Sequence, residues 1–209
     1  MAGMCLASTS EAALVSRLGG LAVYDTDFNI TWLADANANG YINWQTAKDW
    51  AAGLNVGGYT GWRLPTALNP DLTGPCYGFN CTDSELGHLY YTELGVTQGR
   101  DITSSTSPYL ALFTNVQNNF YWSSTEYAPD PNSAWDFSTF TGPQHYNPKN
   151  TGSNAWAVRT GDVASTSVPE PGIIWLLLAG GLGWYSQTAA RVSRQGGNPL
   201  PPSSRPDGH

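Results

Sequence analysis

The sequence predicts an α+β domain with two helices and mostly antiparallel strands, followed by one C-terminal hydrophobic helix. Three observations carry this. Two segments with helical apolar spacing and N-cap signals come early, and a run of strand-like segments follows them. Charged residues make up only 12% of the 209, while aromatics reach 12% with nine Trp, so large rings must organise the core. An uncharged run, residues 172–190, stands near the C-terminus. Low charge with many aromatics argues against a disordered chain. The net charge of −7 argues against a nucleic-acid partner, whose phosphates need a basic footprint.

Residues 1–19 read as the remnant of a secretory signal peptide or a flexible lead-in. They are small and mildly apolar, with Cys5 among them, but carry no basic start and only a short apolar stretch. Residues 20–162 carry the fold. Segments 21–25 and 29–33 form a hairpin around Thr26-Asp27. Asn43 caps a helix running to about Leu54, with Trp44, Ala47, Trp50 or Ala51, and Leu54 on its inner face. Thr82-Asp-Ser-Glu85 matches a capping box. The helix behind it buries Leu86, Leu89, Tyr90 and Leu94 and ends at Gly95. Residues 110–113, 120–124, 134–140 and 155–160 read as strands.

After Asp162 the composition changes. Residues 163–168 form a linker, and Pro169-Glu170-Pro171 follows. The run 172–190 nearly reaches the length of a membrane span and is apolar all round. A buried core helix is the alternative. Trp175, Trp184 and Tyr185 lie towards its ends, and Arg191 and Arg194 flank one side only. By the positive-inside rule those arginines stay cytoplasmic, which places residues 1–168 outside. Residues 195–209 are rich in Pro, Gly and Ser and are expected to be disordered.

Five groups of residues invite a chemical reading. Asp35, Asn37 and Asn39, followed by Gly40, mimic the first half of a calcium loop, with oxygen side chains at alternating positions. The twelfth position of such a loop would be Thr46, not Glu, and Asx-rich turns have the same look. Cys76 and Cys81 close a small disulfide loop in an oxidising compartment, or remain thiols. Ser123, Ser124 and Glu126 lack a nucleophile elbow, so no catalytic residue is assigned. His88 shares a helical face with Glu85 and is expected at the surface or half-buried, as is His145. Arg63 is expected to pair with a carboxylate while Trp62 and Leu64 alternate into the core.

Two resemblances add to this reading. Pro169-Glu170-Pro171, the apolar run and Arg191 with Arg194 resemble the PEP-CTERM sorting signal of Gram-negative bacteria. That resemblance implies recognition by an exosortase, membrane insertion through residues 172–190, and delivery from the inner membrane to the cell surface or biofilm matrix. The chain departs from the pattern by continuing past the basic residues. Gly57-Gly-Tyr-Thr-Gly-Trp-Arg-Leu-Pro-Thr66, Trp44-Gln-Thr-Ala-Lys-Asp-Trp-Ala51, Tyr121-Trp-Ser-Ser-Thr-Glu126 and Ala155-Trp-Ala-Val-Arg159 together resemble the DUF1566 family, named also for the C-terminal domain of the Legionella collagen-like protein. The resemblance implies a C-type lectin-like domain whose N- and C-terminal strands pair, and a non-catalytic adhesion or polysaccharide-contact role. An enzyme of formylglycine-generating type, using Cys76 and Cys81 as reactive thiols, is the alternative, and a ligandless structural module is another. No Cys precedes Arg159, and the sugar-binding triplets of calcium-dependent lectins are absent.

Overall fold

The computed structural model describes residues 14–163. The sorting residues Pro169, Glu170, Pro171, Arg191 and Arg194, and the run 172–190, lie outside the described residues. Among the described residues no helix is long and apolar enough to cross a membrane.

Two sheets and two helices make a mixed α+β domain. The first sheet has the order β1-β2-β3-β9, with β1 at Leu14–Arg17, β2 at Ala22–Asp25, β3 at Ile30–Leu33 and β9 at Val158–Thr160, all antiparallel. The expected hairpin is β2 and β3. Its turn is set by Asp25, whose Oδ1 accepts from the backbone N–H of Asp27 and Phe28, both at 3.0 Å. Asx side chains are suited to this local bonding. Strand β3 pairs with β9, so the two ends of the domain meet in one sheet. β1 lies inside the segment expected to be a lead-in. Its Arg17 clasps Asp162 through two hydrogen bonds, 2.8 and 3.0 Å, which ties the start of the described chain to its end.

The second sheet has the order β4-β8-β5-β6-β7: β4 Tyr41–Ile42, β8 Ser153–Asn154, β5 Phe120–Glu126, β6 Ser133–Ser138 and β7 Gln144–Pro148. Only β5 and β8 run parallel. Helix α1, Trp44–Ala52, packs on this sheet. Its Asn43 cap accepts from Thr46 N at 3.0 Å, as its sequence predicts, and Trp44 Nε1 donates to Ser123 O at 2.7 Å. Trp44, Ala47 and Ala51 are its buried face.

The segment Trp62-Arg63-Leu64-Pro65 straps the two sheets together. Arg63 exchanges both backbone hydrogen bonds with Val158 of β9, at 2.7 and 2.8 Å. Pro65 O accepts from Ser124 N of β5 at 2.7 Å. Trp62 and Leu64 are 2% and 1% exposed, so the alternation read from the sequence holds.

Several expectations are corrected. Residues 110–113 are not a strand: Pro108–Leu112 forms a 3-10 helix, because Ser107 caps it by accepting from Tyr109 N and Pro108 occupies its first position. The strand expected at 155–160 shrinks to β9, since Ala155–Trp156–Ala157 dives into the core at 0% exposure each. The second helix is capped by Ser84 instead of Thr82, with Ser84 Oγ accepting from Gly87 N. Helix α2, Glu85–Gly87, then runs directly into a π-helical stretch, His88–Glu93. Gly87 is required there: a Cβ would overlap the Cys81 carbonyl oxygen, so the helix could not seat on the disulfide loop. Leu86, Leu89, Tyr90 and Leu94 are buried as expected.

Candidate functional site

The first candidate is an aromatic platform built by the disulfide loop and the outer strands of the second sheet. Cys76 and Cys81 are joined, with their Cα atoms 5.5 Å apart. Gly78, inside the loop, exchanges both backbone hydrogen bonds with Gln144 at the start of β7, each 2.8 Å. The Gln144 side chain is buried and donates to Cys76 O at 2.8 Å and Ala67 O at 3.1 Å. The loop is therefore stitched to the sheet edge, and it presents Tyr77 at 68% exposure.

Tyr77 joins three rings, two from strands β6 and β7 and one, Tyr127, just past the end of β5. Trp135 of β6 and Tyr146 of β7 are cross-strand partners on one face, with centroids 5.9 Å apart. Tyr127 stacks on Tyr146 at 3.6 Å and 9°. Tyr77 lies 6.2 Å from Trp135 and 6.0 Å from Tyr146. Trp135 is only 6% exposed, so the tyrosines form the outer surface over it. Each carries an apolar ring and a polar tip, the combination favoured where one side is dry and the other wet. Phe79, in the same loop, and Phe140 are also exposed.

The second candidate is a buried cluster of Asp25, His88 and Glu93. One potential ligand atom from each lies within 4.8 Å of the others. His88 Nε2 is 3.0 Å from Glu93 Oε1 and 3.9 Å from Asp27 Oδ2. Phe28 stacks on the His88 ring at 4.0 Å and 19°. Asp25 is fully buried, and its Oδ2 has no hydrogen-bond partner. Burial pushes the Asp25 carboxyl above its ordinary range. Burial pulls His88 down, but the Glu93 hydrogen bond and the charges of Asp25, Glu93 and Asp27 outweigh it and leave the imidazole raised.

This cluster overturns the expectations for His88. It is 7% exposed instead of surface or half-buried, and its partner is Glu93, five residues on, instead of Glu85. Five residues span about 140° around an α-helix, which would separate them. The π-helical stretch, with its i→i+5 bonding, brings the first and last of its residues to one side. Glu85 turns the other way. Its carboxylate takes Arg63 Nη1 at 2.8 Å, Arg63 Nη2 at 2.6 Å and the Thr66 backbone N–H at 2.7 Å. Arg63 and Glu85 line a cavity of about 480 Å³, together with Asp27, Phe28, Ile30 and Thr160 among others.

The remaining sequence candidates hydrogen-bond mainly to backbone groups. Asp35 Oδ1 accepts from Asn37 N at 3.0 Å, which is an Asx turn, and Gly40 N donates to Asn37 O at 3.2 Å. Asn37 Oδ1 is buried without a hydrogen-bond partner. Among the described residues the only close group of three His, Cys, Asp or Glu side chains is Asp25, His88 and Glu93. Ser123 Oγ accepts from Thr125 N, and Ser124 Oγ donates to Pro65 O.

His145, on the opposite face of β7 from Tyr146, sits with Nδ1 2.7 Å from Asp136 Oδ1. Asp136 is fully buried, and its other oxygen accepts from Asn147 Nδ2 at 2.7 Å. The Asp136 hydrogen bond raises the His145 pKa, and burial opposes it less strongly. A raised folded-state pKa means that this pair stabilises the fold fully below the unfolded imidazole value, about 6.5, and that the contribution fades as pH rises through the folded value. Urea midpoints should therefore fall between pH 6 and pH 8.5, and His145→Gln should flatten that part of the slope. An unchanged slope in the variant would remove His145 from the account.

Comparison with family models, curated proteins and solved structures gave no match to this chain.

Proposed function

We propose that the chain is an exported surface or matrix protein whose lectin-like domain contacts polysaccharide without catalysis. The exposed aromatic platform is the observation that carries this reading. Flat, partly exposed Tyr rings offer apolar faces to the C–H faces of sugar rings, while their hydroxyls stay available for hydrogen bonds. An exposed cluster of large rings on a small domain is itself unusual unless something docks there. The disulfide gives Tyr77 a fixed position, which lowers the entropy lost on binding. Disulfides persist in oxidising compartments, which is consistent with export and supports it weakly.

The sorting half of the proposal rests on sequence. Pro169, Glu170 and Pro171 would be read by an exosortase, residues 172–190 would hold the precursor in the inner membrane, and Arg191 and Arg194 would keep its end cytoplasmic. The resemblance to the DUF1566 family supports the domain half.

A glycan array probed with the full chain in detergent, with and without calcium, tests the domain. At about 1 kcal/mol per aromatic contact, Tyr77→Ala with Tyr146→Ala should weaken the best glycan roughly 30-fold. Retention of binding by that double variant, or no glycan bound under either condition, would sink the reading. Intact-mass measurement of the surface form tests the sorting: a C-terminus beyond Arg194 would mean that no sorting cleavage takes place.

A further inference from the structure

We propose that Asp25, His88 and Glu93 form a binding site for one divalent transition-metal ion of the zinc class, with Asp27 at its outer edge. Four observations converge on it. The first is the donor set: one imidazole nitrogen and two carboxylates, with ligand atoms within 4.8 Å of one another. A tetrahedral ion with bonds of about 2 Å holds its ligands roughly 3.3 Å apart. The His88–Glu93 pair already stands at 3.0 Å. An imidazole in the set favours zinc or its neighbours over calcium, which prefers oxygen alone.

The second is Asp25 Oδ2, a fully buried carboxylate oxygen with no hydrogen-bond partner. Buried polar atoms are nearly always satisfied, and an orphan of this kind points to a missing water or ion. The third is charge. Asp25 and Glu93 are buried, Asp27 stands beside them, and His88 can supply one positive charge at most. Among the described residues no lysine or arginine pairs with any of these carboxylates. Unbalanced buried charge is expensive, and a divalent cation removes the imbalance.

The fourth is pre-organisation. Asp25 Oδ1 is held by the N–H groups of Asp27 and Phe28, and Phe28 stacks on the His88 ring. Hydrogen-bonded carboxylates and oriented rings are the usual support around metal ligands. The π-helical stretch brings His88 and Glu93 to one side of the helix, so both donors are in place before an ion arrives. Phe28 and Asp27, which touch the cluster, also line the 480 Å³ cavity. On binding, the ion takes the place of the proton shared by His88 Nε2 and Glu93 Oε1, and that proton leaves to solvent. This inference does not depend on the polysaccharide reading.

The test uses the untagged full chain, freed of metal by a chelator and titrated with Zn²⁺ against a chromophoric competitor. One equivalent should bind. His88→Gln should weaken it at least tenfold, and Asp27→Asn, an exposed change that leaves the core intact, by a few-fold. X-ray absorption at the zinc edge on the wild-type chain should show only nitrogen and oxygen ligands, including one imidazole. Excess Ca²⁺ should not displace the zinc. Absence of stoichiometric zinc, a sulfur ligand, or unchanged binding in both variants overturns the proposal.

Discussion

Trp156→Ala should destabilise the domain by about 4 kcal/mol, the upper range for removing a large buried ring. Trp156 is fully buried where the two sheets meet. Its ring stands 5.3 Å from Trp32 of β3, 5.1 Å from Phe113 and 5.5 Å from Tyr121 of β5. Its Nε1 donates to Leu33 O at 2.7 Å, and the next residue's carbonyl, Ala157 O, accepts from Leu33 N at 2.8 Å. Truncation therefore opens a cavity at the junction and leaves a buried carbonyl unpaired. Trp32 supplies the control. It is equally buried, but its Nε1 has no hydrogen-bond partner. Replacing either by Phe removes the same volume, so Trp156→Phe should cost about 1 kcal/mol more than Trp32→Phe, the value of one net hydrogen bond. Chemical denaturation reads all three variants. A Trp156→Ala cost below about 1.5 kcal/mol would mean that the sheets are joined elsewhere.

How much of this was legible in the sequence depends on the range of the interactions. The β2–β3 hairpin and α1 were readable because Asp25 and Asn43 act on backbone two or three residues away. Strands β4 and β8 are two residues each, too short to show any period. β7, Gln-His-Tyr-Asn-Pro, holds no aliphatic residue to mark an alternation and reads as loop. Residues 155–160 alternate in apolar size as a strand does, yet the first three form the core plug centred on Trp156. The Cys76–Cys81 pair was visible from its spacing. That it holds Tyr77 against Tyr146 was not, because the pairing of Gly78 with Gln144 is a long-range event. The Asp25–His88–Glu93 cluster was hidden twice over. Asp25 comes from a distant hairpin, and Glu93 faces His88 only because the helix departs from the 3.6-residue period by which it was read.

Glu85 shows the same limit in a form that mutagenesis can measure. Its position three residues after Thr82 suggested a capping box, in which its carboxylate would serve its own helix. It serves the strap instead. It accepts both Arg63 Nη groups and the Thr66 N–H, while Arg63 Nη1 also reaches Leu64 O at 3.0 Å. The Glu85 side chain is 7% exposed and that of Arg63 35%, so the pair is half-shielded from water. Glu85→Ala should cost about 3 kcal/mol, since it strands a guanidinium and a backbone N–H together. Glu85→Gln keeps an acceptor for Thr66 and should cost roughly half as much. The double variant Arg63→Met with Glu85→Leu removes both charges and fills the space, and should recover much of the loss. Because Arg63 also pairs through its backbone with Val158, the single loss should appear as looser docking of the strap. Faster hydrogen exchange at the Val158 and Arg63 amides would report that loosening. If Glu85→Ala leaves both amides protected and costs under about 1 kcal/mol, the pair behaves as a surface ion pair, and the strap is held by its backbone pairing and by Trp62 and Leu64.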